Sequence, residues 1–230
     1  MDNTEVSRAS FIRERCGLSG PLTEISLVVF CVLVAEWAVL PLFGKNYFVG
    51  LIPVCAAFAF MYLSHRACGE SAREVGWRFD NLRRALRLLM PPMVAATLFL
   101  VIVGWLCGSL RIGGIRTGWS LLTTYFWLFC WGLLQQYPLQ GFINRRAQMV
   151  WARGSRSIVF VASVFALLHL PNLCLMAATF SGGLLWAWAY QREPNLFALA
   201  FSHSLMTIVW VTTVPYSSLH GMRVGYGYFL

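Results

Sequence analysis

Six long stretches of this chain are almost free of ionised side chains, and that constrains the fold more than any other feature. They run Ile25–Gly44 (interrupted only by Glu36), Asn46–His65, Leu88–Leu110, Thr117–Asn144, Ser157–Gln191 and Pro194–Met222. A helix rises about 1.5 Å per residue, so about 20 apolar residues cross a hydrocarbon core of about 30 Å. The fifth stretch is long enough for two short spans, and Pro171-Asn172 is the natural break between them. The expectation is an all-α, polytopic transmembrane helix bundle of about seven spans, forming a single integral membrane domain over residues 1–230. Of the 230 residues, 58% are hydrophobic and 12% charged. So much apolar surface cannot be packed inside one water-soluble domain of this size. A soluble enzyme, a secreted disulfide scaffold and a disordered tail are excluded.

The net charge of +9 has a membrane explanation too. With the N-terminus inside and seven helices, fourteen basic residues fall on one side: Arg8, Arg13 and Arg15, the six arginines from Arg66 to Arg87, Arg145, Arg146, Arg153, Arg156 and Arg192. Only Lys45, Arg111, Arg116 and Arg223 fall on the other. Such asymmetry marks cytoplasmic loops near anionic lipid, not nucleic-acid binding. The N-terminus is therefore expected in the cytoplasm and the C-terminus outside. The first fifteen residues mix acids and bases without an apolar run, unlike a signal peptide. Within Val75–Arg87, Leu82 and Leu86, continued by Leu89, share one helical face among arginines, a pattern expected of a helix lying in the interface. The seven cysteines are scattered, none at metal-clip spacing, and read as small buried side chains.

Polar groups inside a membrane are costly, so they should face the bundle interior and find partners. Gln135 and Gln136 lie in the fourth span, with Gln140 at its inner end. His169 lies in the fifth, His203 in the seventh with Thr207 one turn later, and Glu36 in the first. At about 1.5 Å per residue, Gln135, His203, His169 and Glu36 come out roughly 8, 13, 18 and 18 Å from the cytoplasmic side. The expectation is one polar layer shared by several helices.

The residues of that layer carry a resemblance. Gln135-Gln136-Tyr137-Pro138-Leu139-Gln140-Gly141 resembles an altered Glu-Glu-x-x-x-Arg motif of the CPBP family, the CAAX-protease and bacteriocin-processing intramembrane proteases. Phe165-Ala166-Leu167-Leu168-His169 is similar to its Phe-x-x-x-His motif, and His203-Ser204-Leu205-Met206-Thr207 to its His-x-x-x-Asn motif. The order and spacing agree over about Trp127–Val211, and residues 118–214 delimit a CPBP-like core. The resemblance implies a glutamic-type intramembrane endopeptidase, in which a carboxylate assisted by a histidine activates water and the second histidine and Asn hold the oxyanion. It carries the catalytic roles to Gln135, Gln136, His169, His203 and Thr207, with Gln140 and Phe165 in support; Glu36, outside the resemblance, is expected to orient a histidine if the first span packs nearby. It also implies a bacterial cytoplasmic (inner) membrane, a membrane-associated peptide or protein substrate, lipidated or not, cut near the cytoplasmic face, and no cofactor.

The chain departs from the motif where the chemistry is most demanding. Gln135 and Gln136 replace both glutamates, Gln140 the arginine and Thr207 the asparagine. An amide cannot act as a general base at neutral pH. Losing the carboxylates and the arginine together avoids leaving a buried charge unpaired. Two readings follow: a peptidase whose base has moved to His169, or a non-catalytic relative acting as membrane scaffold, binder or immunity factor. A metal enzyme is a third, weaker case. His169 and His203 supply two ligands, and none of Glu36, Cys130 and Cys174 stands at a diagnostic spacing for the third. Nothing in the sequence sets the oligomeric state.

Overall fold

The computed structural model describes residues 20–44, 46–111 and 119–230; Arg8, Arg13, Arg15, Cys16, Lys45 and Arg116 lie outside them. The described residues contain helices and no strand. α1 is Pro21–Phe43, α2 Tyr47–Ala67, α3 the single turn Ala72–Val75, and α4 Leu82–Leu106. α5, Trp119–Gln136, passes through a π-helical segment, Tyr137–Asn144, directly into α6, Arg145–Trp151. α7 is Ser155–Leu167, α8 Leu173–Arg192 and α9 Leu196–Thr213, followed by the short α10, Tyr216–Leu219. The apolar stretches thus become seven helices. Five of them are long and apolar enough to cross a membrane, those beginning at Pro21, Phe48, Leu82, Leu173 and Leu196, while Ser155–Leu167 is shorter. The protein is an integral membrane helix bundle.

The helix ends follow local chemistry. Pro171-Asn172-Leu173 and Pro194-Asn195-Leu196 perform one task twice. Asn172 Oδ1 accepts from Leu175 N at 3.1 Å, and Asn195 Oδ1 accepts from Ala198 N at 2.9 Å. Each satisfies an orphan amide at a helix start. Two prolines accompany a widening of the helical rod. Pro138 lies in the Tyr137–Asn144 π segment and Pro41 just beyond a second, Val34–Val39. Each lacks the N–H that an α-helix would use, and the backbone absorbs the loss by a wider turn.

Two sequence expectations are corrected. Leu82, Leu86 and Leu89 do share a face, but they belong to the first turns of α4 itself, not to a separate interface helix. Their face is turned inward, with Ala85 and Leu89 buried, so packing against the bundle outcompetes lying in the interface. The cysteines are not uniformly buried: Cys55, Cys107 and Cys130 are exposed on the apolar surface, Cys31 and Cys174 are half-buried, and Cys68 is buried and disulfide-bonded.

α7 and α8 pack closely because Gly183 has no side chain: a Cβ there would meet Ala162 Cα at 3.0 Å. α5 and α9 approach similarly at Gly132, where a Cβ would meet the Ala200 carbonyl at 3.1 Å. Small residues allow this contact in a bilayer, where no hydrophobic force draws helices together. At the arginine-rich end the loop carrying α3 is fastened to the α8–α9 junction. Tyr190 Oη donates to Val75 O at 2.8 Å, Leu196 N to Gly76 O at 3.0 Å, and Asn195 Nδ2 to Asn81 Oδ1 at 2.7 Å.

The same end holds a buried ionic cluster. Arg146, fully buried, donates from Nε to Glu24 Oε2 at 2.5 Å, from Nη1 to Glu70 Oε2 at 2.9 Å and from Nη2 to Ser64 Oγ at 2.9 Å. Arg145 Nε donates to Glu70 Oε1 at 2.7 Å, and His65 Nδ1 lies 2.6 Å from Glu70 Oε2. Burial alone raises the Glu70 pKa, but the His65 hydrogen bond and the charges of Arg145 and Arg146 outweigh it and hold the carboxyl down to about 2. Replacing Arg146 by Ala leaves Glu24 and Glu70 short of a buried counter-charge and should cost about 3–5 kcal/mol, read by unfolding of the detergent-solubilised protein. Because Glu70 is depressed in the folded state, its contribution is complete above the unfolded carboxyl pKa of about 4.3. It should fade as pH falls from there towards 2. Melting temperatures across that window should slope for wild type and flatten in Glu70→Gln.

Candidate functional site

Three helices and one turn bring the middle of the candidate site together. Gln136, the last residue of α5, is fully buried, and its Nε2 lies 3.0 Å from His203 Nδ1 on α9. With the Gln136 amide in this orientation its nitrogen donates, so His203 Nδ1 accepts and the proton of the neutral ring sits on Nε2. The imidazole stacks on Trp186 of α8, centroids 4.6 Å apart and planes 4° from parallel. Trp186 is itself held by a 2.6 Å hydrogen bond from Nε1 to Ser202 Oγ. His203 is thereby fixed on one face and at one nitrogen.

His169 is held by its own turn. It follows α7, and Nδ1 lies 2.6 Å from the Phe165 carbonyl oxygen. A carbonyl can only accept, so Nδ1 carries the proton and Nε2 keeps its lone pair. Phe165 packs edge-on against both imidazoles, 4.8 Å from the His169 ring and 6.2 Å from the His203 ring. The two rings present complementary functions: a lone pair on one, an N–H on the other. That combination can take a proton from water and donate to a carbonyl oxygen.

The remaining sequence candidates are placed differently. Gln135 is half-buried beside Gln136. Thr207 shares the His203 face but its hydroxyl donates back to the His203 carbonyl at 2.9 Å, so its proton is engaged within its own helix. Gln140 lies in a separate polar network. Its Oε1 accepts from Asn144 Nδ2 at 2.7 Å, while Asn144 Oδ1 accepts from Gln191 Nε2 at 3.1 Å and Gln148 Nε2 at 3.0 Å.

Glu36 takes no part in these hydrogen bonds. No hydrogen bond or ion pair among the described residues links it to His169 or His203. It packs instead against Gly225, where a Cβ would meet its backbone oxygen at 2.7 Å. Glu36 lies in the π segment Val34–Val39, and Gly225 in turn donates its N–H to the carbonyl of Leu170, the residue after His169, at 2.7 Å. The described residues hold no group of three His, Cys, Asp or Glu side chains able to share a metal ion.

Sequence reasoning missed Trp186 as a site residue and the whole Arg146 cluster. Trp186 is one of ten tryptophans, and nothing in the sequence singles it out. The cluster did have a signal: the chain holds only nine acidic residues, and Glu24 and Glu70 stand beside spans at the level of the Arg145-Arg146 pair.

The comparisons bear on this same region. Residues 117–209 match the family model described as Type II CAAX prenyl endopeptidase Rce1-like. Over this segment the chain is similar to that family. The match runs from before Gln135 to beyond Thr207, so it contains all three motif positions. No curated protein and no solved structure matches the chain.

The hydrogen bonding predicts distinct tautomers. Nitrogen-15 spectra of histidine-labelled protein should show His169 protonated at Nδ1 and His203 at Nε2. Gln136→Leu should perturb His203 alone and cost about 1–3 kcal/mol through the buried acceptor left without a donor.

Proposed function

We propose that this protein is an intramembrane endopeptidase of the Rce1-like, CPBP type, in which histidines do the work that the lost glutamates would do. Its substrate is a membrane-associated peptide or protein segment, lipidated or not, cut near the cytoplasmic face of a bacterial inner membrane in which the N-terminus is cytoplasmic. The observation that carries this reading is the pair of imidazoles fixed in complementary states around Phe165. In the proposed step, His169 Nε2 takes a proton from water as the oxygen attacks the scissile carbonyl. His203 Nε2–H donates to the oxygen on which charge develops, and the proton on His169 passes to the leaving amine. Gln136 is a positioning residue that sets the His203 tautomer, and Gln135 is the polar neighbour able to orient water. Gln140 and Thr207 hold neighbouring turns in place, and Phe165 holds His169.

A second reading keeps the architecture without the chemistry. Gln136 is engaged with His203, and no carboxylate hydrogen-bonds to either imidazole among the described residues. This favours a membrane scaffold, binder or immunity factor that holds a peptide segment uncut.

The test is cleavage of a fluorogenic, membrane-proximal peptide library by purified protein in nanodiscs. For the peptidase, wild type cuts and His169→Ala or His203→Ala lowers the rate by at least about 100-fold, the usual scale of a positioned acid–base group. Silence in wild type with activity appearing in Gln135→Glu or Gln136→Glu establishes the non-catalytic reading.

A further inference from the structure

Two groups of arginines contrast at the arginine-rich end of the bundle. Arg145 and Arg146 are paired with Glu70 and Glu24, and Arg73 and Arg78 with Asp80. Arg83, Arg84 and Arg87, in the first turns of α4, are exposed and have no carboxylate within ion-pair distance among the described residues. They stand where the loop ends and the apolar span begins, which is headgroup depth in a bilayer.

Beneath two of them runs a groove of about 460 Å³, lined by Leu82, Arg83, Leu86, Arg87, Met90 and Pro91. These residues follow helical spacing, so the groove is a stripe along one side of α4 with cations at its loop end and apolar side chains at its membrane end. Arg83 and Arg87, four residues apart, lie on the same face. The backbone adds a second feature. Pro91 and Pro92 lie inside the helix and have no N–H, so the carbonyls of Arg87 and Leu88 lack their α-helical donors. The stripe therefore offers, in order, paired cations, a carbonyl acceptor in need of a donor, and an apolar channel.

We propose that this groove binds one anionic glycerophospholipid with hydroxyls on its headgroup, of the phosphatidylglycerol class. The phosphate lies between Arg83 and Arg87, a headgroup hydroxyl donates to the Arg87 carbonyl, and an acyl chain runs along Leu86, Met90 and Pro91. Unpaired guanidinium groups meet phosphate with charge-assisted hydrogen bonds, and the groove below them excludes a purely aqueous ligand. Binding is independent of peptide cleavage.

Native mass spectrometry of the full chain tests it, with the protein taken from micelles containing equal phosphatidylglycerol and phosphatidylcholine. The expected result is one retained phosphatidylglycerol, favoured by about tenfold, the order that two arginines near an anionic surface supply. Arg83→Gln/Arg87→Gln should abolish the preference, and Arg84→Gln, which lies off the groove, should keep it. Met90→Trp, at an exposed position, should lower retention by filling the channel while helix content stays the same. Phosphatidic acid, with the charge but no headgroup hydroxyl, should bind more weakly. Equal retention of both lipids, a preference surviving the double substitution, or displacement by inorganic phosphate overturns the site. Equal binding of phosphatidic acid overturns the headgroup assignment.

Discussion

A buried cation needs its charge met on every side, and Arg146 is the group around which this bundle is organised. Its guanidinium is fully buried and holds Glu24 at the start of α1, Ser64 near the end of α2 and Glu70 in the loop that follows. Arg145 meets the other oxygen of Glu70. Two arginines and two glutamates balance, and His65 completes the Glu70 shell as a hydrogen-bond partner. Such clusters add little net stability over apolar packing, but removing one member is strongly unfavourable. Their effect is to make one arrangement of α1, α2 and α6 acceptable and mispaired ones costly.

That arrangement sets the register of the candidate site. Arg145 follows immediately on the π-helical Tyr137–Asn144 segment, and Gln136 immediately precedes it. Anchoring the arginines at one end of the rod therefore sets where Gln136 meets His203. Between the two anchors, Gln140, Asn144 and Gln191 form a neutral network of amides. The ion pairs among the described residues lie at the arginine-rich end, and this network between the two anchors is neutral. Glu36 belongs to neither, a carboxyl in the first span with Oε2 buried and unbonded among the described residues, and it faces the C-terminal segment at Gly225.

Neutrality shapes what the two histidines can do. In water an imidazole exchanges tautomers freely. Here one ring must donate at Nδ1 because its partner is a carbonyl, and the other accepts at Nδ1 because its partner is an amide nitrogen. The protein distinguishes two chemically identical side chains by the kind of atom placed opposite each. Trp186 and Phe165 restrict ring rotation around those bonds.

The sequence by itself determined that the chain spans a membrane as a helix bundle, because apolar stretches of that length and number have no other stable home. It also determined the break at Pro171-Asn172 and the order of Gln136, His169 and His203, since proline and motif spacing act locally. Only the tertiary structure decided which polar groups meet. Gln136 and His203 are 67 residues apart and touch, whereas Glu36 makes no hydrogen bond or ion pair with either imidazole among the described residues. Spacing along a helix predicts height; facing depends on how far each rod is rotated, and two proline-linked π segments change that rotation in ways periodicity does not record. The same holds for Arg146 and Glu24, 122 residues apart: composition shows a scarce acid and a surplus of bases, and the fold alone chooses which pair is buried.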